Sequence, residues 1–111
     1  MALEITDSNF EELVLKSGKP AMLDFWAVWC PPCIKVGPIV DQMAVDYDGK
    51  AVIGKVDADN NSAITVKYGV RNLPTMLFFN EKGEVVDRLV GLTSRQEYEK
   101  KLVPLMTTQM Q

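Results

Sequence analysis

The chain has 111 residues, of which 47% are hydrophobic, and it carries a formal net charge of −3. This length predicts a single domain, residues 1–111, with one core that is large enough to need no covalent or metal cross-link. The acidic balance argues against a nucleic-acid-binding domain, and no apolar run approaches the roughly 20 residues of a membrane span.

Short apolar runs alternate with helical patterns in the first half of the chain. Residues 3–5 predict a short strand. Thr6, Asp7 and Ser8 are cap candidates for a following helix, and Ser8 with Glu11 fits a capping box. The Ser-Gly-Lys-Pro sequence at 17–20 ends that helix. Residues 21–26 form a near-continuous apolar run, which is typical of a strand buried on both faces.

The pattern continues with a long helix and two shorter elements. Apolar residues recur at helical spacing over 34–44, where Pro38 is expected to kink the helix. Residues 51–56 predict a central strand, and 60–69 predict a short helix that ends at a glycine. The segment Asn60-Asn61-Ser62 can cap this helix.

A hairpin and a final helix complete the predicted fold. Residues 76–79 and 85–89 flank a four-residue connection that closes with Gly83, which indicates a β-hairpin. Thr93 or Ser94 caps the last helix, and we expect the tail from 107 to 111 to be frayed. The sequence therefore predicts an α/β fold in which helices cover both faces of a mixed sheet.

Both cysteines of the chain lie in the segment Trp29-Cys30-Pro31-Pro32-Cys33. At the start of a helix, free amides and the helix dipole make the first thiol acidic. Such a pair can act as nucleophile and resolving thiol in dithiol–disulfide exchange. Two cysteines and no histidine cannot supply the four ligands of a structural zinc or iron–sulfur site within one chain. A metal shared between two chains and an inert structural disulfide are the alternatives.

The first residues, Met1 to Asp7, contain early acidic side chains and no apolar segment of the kind found in signal peptides. We therefore expect a cytoplasmic protein, unless a leader has been removed.

The chain resembles the thioredoxin family over nearly its whole length. The resemblance rests on Gly91 and on five segments. These are Asp24-Phe25-Trp26-Ala27, Trp29-Cys30-x-Pro32-Cys33 with Pro38, Lys55-Val56-Asp57, Tyr68-Gly69-Val70 and Leu73-Pro74-Thr75. It implies the thioredoxin fold, with about five strands covered by about four helices. It also implies a redox-active Cys30–Cys33 disulfide and no bound cofactor or metal.

The resemblance assigns roles to four residues. Cys30 is the exposed nucleophile, and Cys33, more buried, resolves the mixed disulfide. Asp24, buried below the inner cysteine, transfers its proton, and Lys55 lies beside Asp24 and tunes it. Burial should raise the pKa of Asp24. The plainer interpretation is a buried acid paired with Lys55, and both can hold.

The resemblance also places a docking surface around the cysteines. Pro74 corresponds to the family's cis-proline, although a trans proline that starts a strand is the alternative, and Leu73 offers its backbone to an extended substrate. Trp29, although it could be plain core, and Gly91, although it could be a turn glycine, are assigned to this surface. The other matching positions are Pro32, Ala58, Asn72, Val90 and Leu92. Trp26 is expected to pack beneath the site.

Three residues depart from the family pattern. Val28 and Ile34 replace charged residues beside the motif, which leaves the docking face less charged. Pro31 stands where most thioredoxins carry glycine, and Pro31 and Pro32 both lack an N–H. Fewer amides near the Cys30 thiolate and a stiffer loop both favour the disulfide. We therefore expect a redox potential at or below about −270 mV.

The leading functional prediction is a protein-disulfide reductase that receives electrons from a thioredoxin reductase. Its partners would be protein disulfides, with no role for nucleic acid or membrane, and we expect a monomer. One alternative is an exported reductant of the cytochrome-maturation type, since those relatives often carry Pro-Pro between their cysteines. A glutaredoxin fits less well. The other class of alternative is a non-redox interaction subunit that uses the same fold.

Overall fold

A five-stranded sheet is the middle layer of the computed structural model, which describes residues 2–108. Its strands lie in the order β1-β3-β2-β4-β5. The first three are parallel to one another, whereas β4 and β5 are antiparallel to their neighbours, so the predicted mixed sheet is confirmed. The strands are β1 (Leu3–Glu4), β2 (Ala21–Trp26), β3 (Val52–Asp57), β4 (Thr75–Phe79) and β5 (Val85–Val90).

Within the described residues, four helices cover the sheet, as the family resemblance implies. They are the π-helical α1 (Glu11–Leu15), α2 (Pro31–Asp46), α3 (Ser62–Lys67) and α4 (Arg95–Thr108). The apolar side chains of α1 and α3 pack on one face of the sheet, and those of α2 and α4 pack on the other. The sheet is therefore buried on both sides, which is the arrangement predicted from the run at 21–26.

The central strand β2 shows how the sequence places one acid in the core. Ala21, Leu23 and Phe25 belong to the cluster beneath α1 and α3, whereas Met22 belongs to the cluster beneath α2 and α4. Because side chains alternate along a strand, Asp24 points to the same face as Met22, towards α2. The register pairs Asp24 with Lys55 on β3.

The capping box predicted for Ser8 and Glu11 is wrong, and the cap candidate Thr6 takes its place. The Ser8 hydroxyl lies 3.0 Å from the Thr6 hydroxyl, and the N-cap residue Phe10 makes no side-chain capping bond. The Thr6 amide donates to Asn9 Oδ1 at 2.8 Å and the Asn9 amide donates to Thr6 Oγ1 at 3.2 Å. This reciprocal pair has the pattern of a capping box and begins two residues before the predicted one.

The C-terminal elements follow the prediction closely. The hairpin connects β4 and β5 through Asn80, whose Oδ1 accepts the Glu84 amide at 3.0 Å. Ser94 caps α4, because its Oγ accepts the Glu97 amide at 3.4 Å. Helix α4 includes Thr107 and Thr108, and the rest of the tail predicted to fray lies outside the described residues. Over residues 2–108, no helix is long and apolar enough to cross a membrane.

Candidate active site

Cys30 and Cys33 form a disulfide at the start of α2. Cys30 is the N-cap residue, with an extended backbone conformation, and its Sγ accepts the Cys33 amide at 3.3 Å. Pro31 and Pro32 occupy the first two helical positions, where a missing N–H is tolerated. Cys33 therefore supplies the first backbone donor of the helix, and that donor points at the Cys30 sulfur.

The two cysteines are almost equally buried. Cys30 is 4% exposed and Cys33 is 2% exposed, so the predicted contrast between an outer and an inner thiol is small in the disulfide form. The chain neighbours of both cysteines are exposed. Cys33, and not Cys30, lines a cleft that leads to Asp24, and this contact separates the two residues better than exposure does.

Asp24 is a buried carboxyl group in the middle of β2. It is 1% exposed, and neither carboxylate oxygen has a hydrogen-bond partner within the described part of the chain. Burial raises the pKa of Asp24 from 3.8 to about 7, against the opposing charge of Lys55 and with a further increase from Asp41. A group with this pKa can take up or release a proton near neutral pH.

Lys55 does not pair directly with Asp24, so that part of the plainer interpretation is wrong. Although the two residues are register partners, the Lys55 ammonium binds Asp41 Oδ1 on α2 at 3.1 Å. Its charge still acts on Asp24 and lowers the pKa of that carboxyl. All three residues line a cleft of about 160 Å³ together with Cys33, and this cleft joins the buried acid to the surface.

An exposed apolar face surrounds the disulfide. Val28 is 70% exposed and Ile34 is 54% exposed, on either side of the cysteine motif. Trp29 is 65% exposed, and its indole N–H donates to Asp59 Oδ2 at 2.8 Å. The Trp29 ring therefore lies on the surface and not in the core. Pro31, Pro32, Val90 and Leu92 are exposed as well.

The loop before β4 brings the remaining candidates to the same edge. The Leu73–Pro74 peptide bond is cis, as the resemblance implies, and Leu73 and Trp26 pack against the cluster formed by Ala27 and the two cysteines. The Gly91 amide donates to the Pro74 carbonyl at 2.8 Å, which ties the end of β5 to this loop. Gly91 has a φ of 91°, a backbone conformation that favours glycine, so the turn interpretation of this residue also holds.

The last predicted positions on the docking surface lie on the other side of Trp29. Ala58, Asn72 and Leu73 line a shallow cavity of about 340 Å³ with Trp29 and Arg71. The structure therefore brings all the sequence-predicted site residues to one end of the sheet. Within residues 2–108, no cluster of three or more Cys, Asp or Glu side chains is placed to hold a metal ion.

Sequence reasoning missed two acids of the site. Asp59 holds the Trp29 indole, and Asp41 binds Lys55. A signal for Asp41 was present, because Cys33, Gly37 and Asp41 are spaced by four residues and so share one face of α2. Asp59 follows β3 in a turn, and nothing in the local pattern distinguishes it from a solvated loop acid.

Comparison with known proteins gives a consistent result. The family model described as Thioredoxin matches residues 1–103. A protein named Thioredoxin from Chlorobaculum thiosulfatiphilum is 46% identical over 89% of this chain and 91% of its own length. Thioredoxin 2 from Chlorobaculum tepidum is 46% identical over 89% and 90% of the two chains, and Thioredoxin 1 from a Nostoc species is 44% identical over 81% and 83%.

Proposed function

The chain belongs to the thioredoxin family, and from that premise we propose that it is a protein-disulfide reductase that works by dithiol–disulfide exchange. The observation that carries the proposal is the disulfide at the N-terminus of α2, beside a buried carboxyl group whose pKa is about 7. Electrons would come from a thioredoxin reductase and pass to protein disulfides. The proposal includes a reducing compartment, the cytoplasm, and a monomeric protein that needs no bound cofactor.

Cys30 is the attacking residue in this mechanism. In the reduced protein, the helix dipole and the Cys33 amide stabilise its thiolate. The thiolate attacks one sulfur of the substrate disulfide, so that a bond from Cys30 Sγ to the substrate forms and the substrate S–S bond breaks. The other substrate sulfur leaves as a thiolate and takes a proton from solvent. Because Cys33 lines the cleft that leads to Asp24 and Cys30 does not, we assign the attack on the substrate to Cys30.

Cys33 and Asp24 complete the exchange. The Asp24 carboxylate accepts the proton of the Cys33 thiol through the cleft that both residues line, which is polar and roomy enough for water to bridge them. The Cys33 thiolate then attacks Cys30 Sγ, and the mixed disulfide breaks. The second substrate sulfur leaves as a thiolate and takes a proton from solvent, Asp24 releases the proton of Cys33 to solvent, and the Cys30–Cys33 disulfide re-forms. The substrate has then gained two electrons and two protons. Lys55 adjusts the proton affinity of Asp24 through its charge.

The apolar face supports the choice of substrate. Trp29, Pro32, Leu73, Val90 and Gly91 surround the disulfide, and this surface suits an extended, largely apolar protein segment. The backbone of Leu73 would pair with that segment as a strand does. Pro31 and Pro32 would set the potential, because neither offers an amide to the Cys30 sulfur.

Insulin reduction tests the proposal directly. With dithiothreitol, or with NADPH and a thioredoxin reductase, we expect the wild-type protein to precipitate the insulin B chain and the Cys30→Ser variant to lose this activity. A Lys16→Ser variant, which changes an exposed residue outside the site, is the matched control. An inactive wild type, or a fully active Cys30→Ser variant, would overturn the proposal in favour of a non-redox interaction subunit.

A further inference from the structure

Asp41 is fixed at the rim of the cleft that leads to Asp24. Its Oδ1 accepts two hydrogen bonds, from the Lys55 ammonium at 3.1 Å and from the Ala2 amide at 3.1 Å. These partners come from β3 and from the residue before β1, so Asp41 connects α2 to two strands at one edge of the sheet. Partial burial alone would raise the pKa of Asp41, but the Ala2 amide and Lys55 outweigh it and hold the pKa below its usual range.

The Lys55 ammonium lies against α2. A Cβ built on Gly37 would come within 3.4 Å of Lys55 Nζ, so the ammonium passes over the helix at the one residue of this turn without a side chain. Gly37 and Asp41 are one helical turn apart on the same face. The Lys55 ammonium therefore lies against Gly37 and binds the Asp41 carboxylate one helical turn further along.

Two carboxylates thus compete for one ammonium. Asp24 is the register partner of Lys55 on the neighbouring strand, yet its oxygens have no partner among residues 2–108. Lys55 has a flexible four-carbon stem and can reach different partners from one backbone position. Without Asp41, nothing in this cleft would hold the ammonium on the helix side, and the attraction of the buried carboxylate would draw it to Asp24.

We propose that Asp41 is a positioning residue, which holds the Lys55 ammonium away from Asp24 and so keeps the Asp24 carboxyl group able to carry the proton of Cys33. The role in catalysis rests on the proposed function. The placement of Lys55 rests on the geometry alone. Asp41 thus acts through Lys55 and does not itself touch the reacting sulfurs.

The groups that face Asp24 come from three elements. Lys55 faces it from β3, and Cys33 and Asp41 face it from α2. The buried Tyr98 phenol belongs to α4. Burial raises the pKa of Tyr98, and the charge of the nearby Asp24 raises it further. The facing residue of β4, Met76, carries no charge. Two further acids, Glu4 and Asp57, line the adjacent cleft with Lys55 and Asp41.

Removal of the Asp41 charge should lower the proton affinity of Asp24. An opposite charge that moves next to a carboxylate lowers its pKa by about one unit or more. From a pKa of about 7, such a change reduces the protonated fraction of Asp24 at pH 7 from about one half to about one tenth, roughly fivefold. The direct repulsion between the two carboxylates would disappear as well, so the design must separate the two effects.

The experiment is a carboxyl-carbon NMR titration of Asp24 in the oxidised protein. We expect Asp41→Asn to lower the pKa of Asp24 by about one unit, Asp41→Glu to restore most of the wild-type value, and Lys55→Gln to raise it. In the Lys55→Gln background, Asp41→Asn should lower the pKa by less than half as much, because only the direct repulsion is left to remove. Asp46→Asn, which removes another salt-bridging acid of α2 that is paired with Arg95, is the matched control and should leave Asp24 unchanged.

Two results would overturn the proposal. One is an Asp24 pKa that does not fall in Asp41→Asn, and the other is an equal fall in both backgrounds, which would mean that Asp41 acts by its field alone. Asp41→Ser removes the same charge and provides a second variant if Asp41→Asn does not fold. The titration needs neither substrate nor reductase, so it remains decisive if insulin reduction fails. If insulin is reduced, the acid limb of the pH profile of the single-turnover rate should move to lower pH as the Asp24 pKa falls. A limb that stays at the same pH would contradict the catalytic role.

Discussion

Replacement of Asp24 by Asn should make the protein more stable above neutral pH and slower in disulfide exchange. Asp24 is 1% exposed, and its carboxylate has no hydrogen-bond partner within residues 2–108. The folded state therefore disfavours the charged form, and burial raises the pKa of Asp24 from 3.8 to about 7. Asparagine has nearly the same shape and no charge, so the substitution isolates this electrostatic cost.

The size of the effect follows from the pKa difference. A rise from 3.8 to about 7 corresponds to about 4 kcal/mol, at about 1.4 kcal/mol for each pKa unit. Below pH 3.8 both the folded and the unfolded states bind the proton. Between these two pKa values the folded state binds more protons than the unfolded state, so the free energy of unfolding falls as the pH rises. Above pH 7 both states are charged and the loss is complete.

The Asn variant should lack this dependence. At pH 4 a neutral carboxyl group is exchanged for a neutral amide, and the free energy of unfolding should change by less than about 1 kcal/mol. At pH 8 the variant should be more stable than the wild type by about 2 to 4 kcal/mol, since the buried charge is gone and an amide without a partner still costs something.

Urea unfolding of the oxidised proteins at pH 4 to 9 measures these differences. Asp48→Asn, which removes an exposed carboxylate, is the control for the loss of one negative charge. Its free energy of unfolding should change with pH in the same way as that of the wild type. Parallel curves for the wild type and Asp24→Asn over this pH range would refute the reasoning, because they would mean that Asp24 does not change its proton binding on folding. In single-turnover reduction, the same variant should resolve the mixed disulfide about 100- to 10,000-fold more slowly, and an unchanged rate would exclude the proton-transfer role.

Three further predictions concern the disulfide and its surroundings. Pro31→Gly should raise the redox potential measured by equilibration with glutathione, because it adds an amide near the Cys30 sulfur and loosens the reduced loop; a lower potential would contradict this argument. Cys33→Ser should accumulate a mixed disulfide with a protein substrate on Cys30, visible by non-reducing mass spectrometry, and its absence would challenge the assigned order of attack. Val28→Glu places a charge on a side chain that is 70% exposed beside the disulfide, and it should lower kcat/KM for a protein disulfide by about tenfold, whereas Val86→Glu, on the distant half of β5, should not.

The local sequence pattern was enough to predict most of the strands and helices. The apolar run at 21–26 became β2 with the predicted bounds, because a strand covered on both faces needs only apolar side chains in sequence. The cysteine motif was likewise expected at a helix start, from the helical pattern that follows it and from the family resemblance, and it lies there in the structure. Both features depend on residues that are close together in the chain.

Contacts between distant segments were not predictable in the same way. The free amides of α3 are capped by Asp7, whose carboxylate accepts the Ala63 amide at 3.2 Å and the Ile64 amide at 2.9 Å. The local candidate, Asn61, uses its Oδ1 to accept the Asp7 amide instead. More than 50 residues separate these partners, and no periodicity in either segment indicates that they are in contact. For the Lys55–Asp41 ion pair, the helical spacing of Cys33, Gly37 and Asp41 indicated the face of α2 but not the partner on β3.

The Cys30–Cys33 disulfide lies between two different environments, and this arrangement explains how two almost equally buried sulfurs can have different roles. On one side, exposed apolar residues such as Val28 and Trp29 would meet the substrate in the proposed mechanism, where burial of apolar surface favours association. On the other side, Cys33 opens on a cleft that also holds Asp24 and the Lys55–Asp41 pair. In the proposed mechanism the substrate therefore docks on the apolar face of the disulfide, and the proton of Cys33 moves into the cleft.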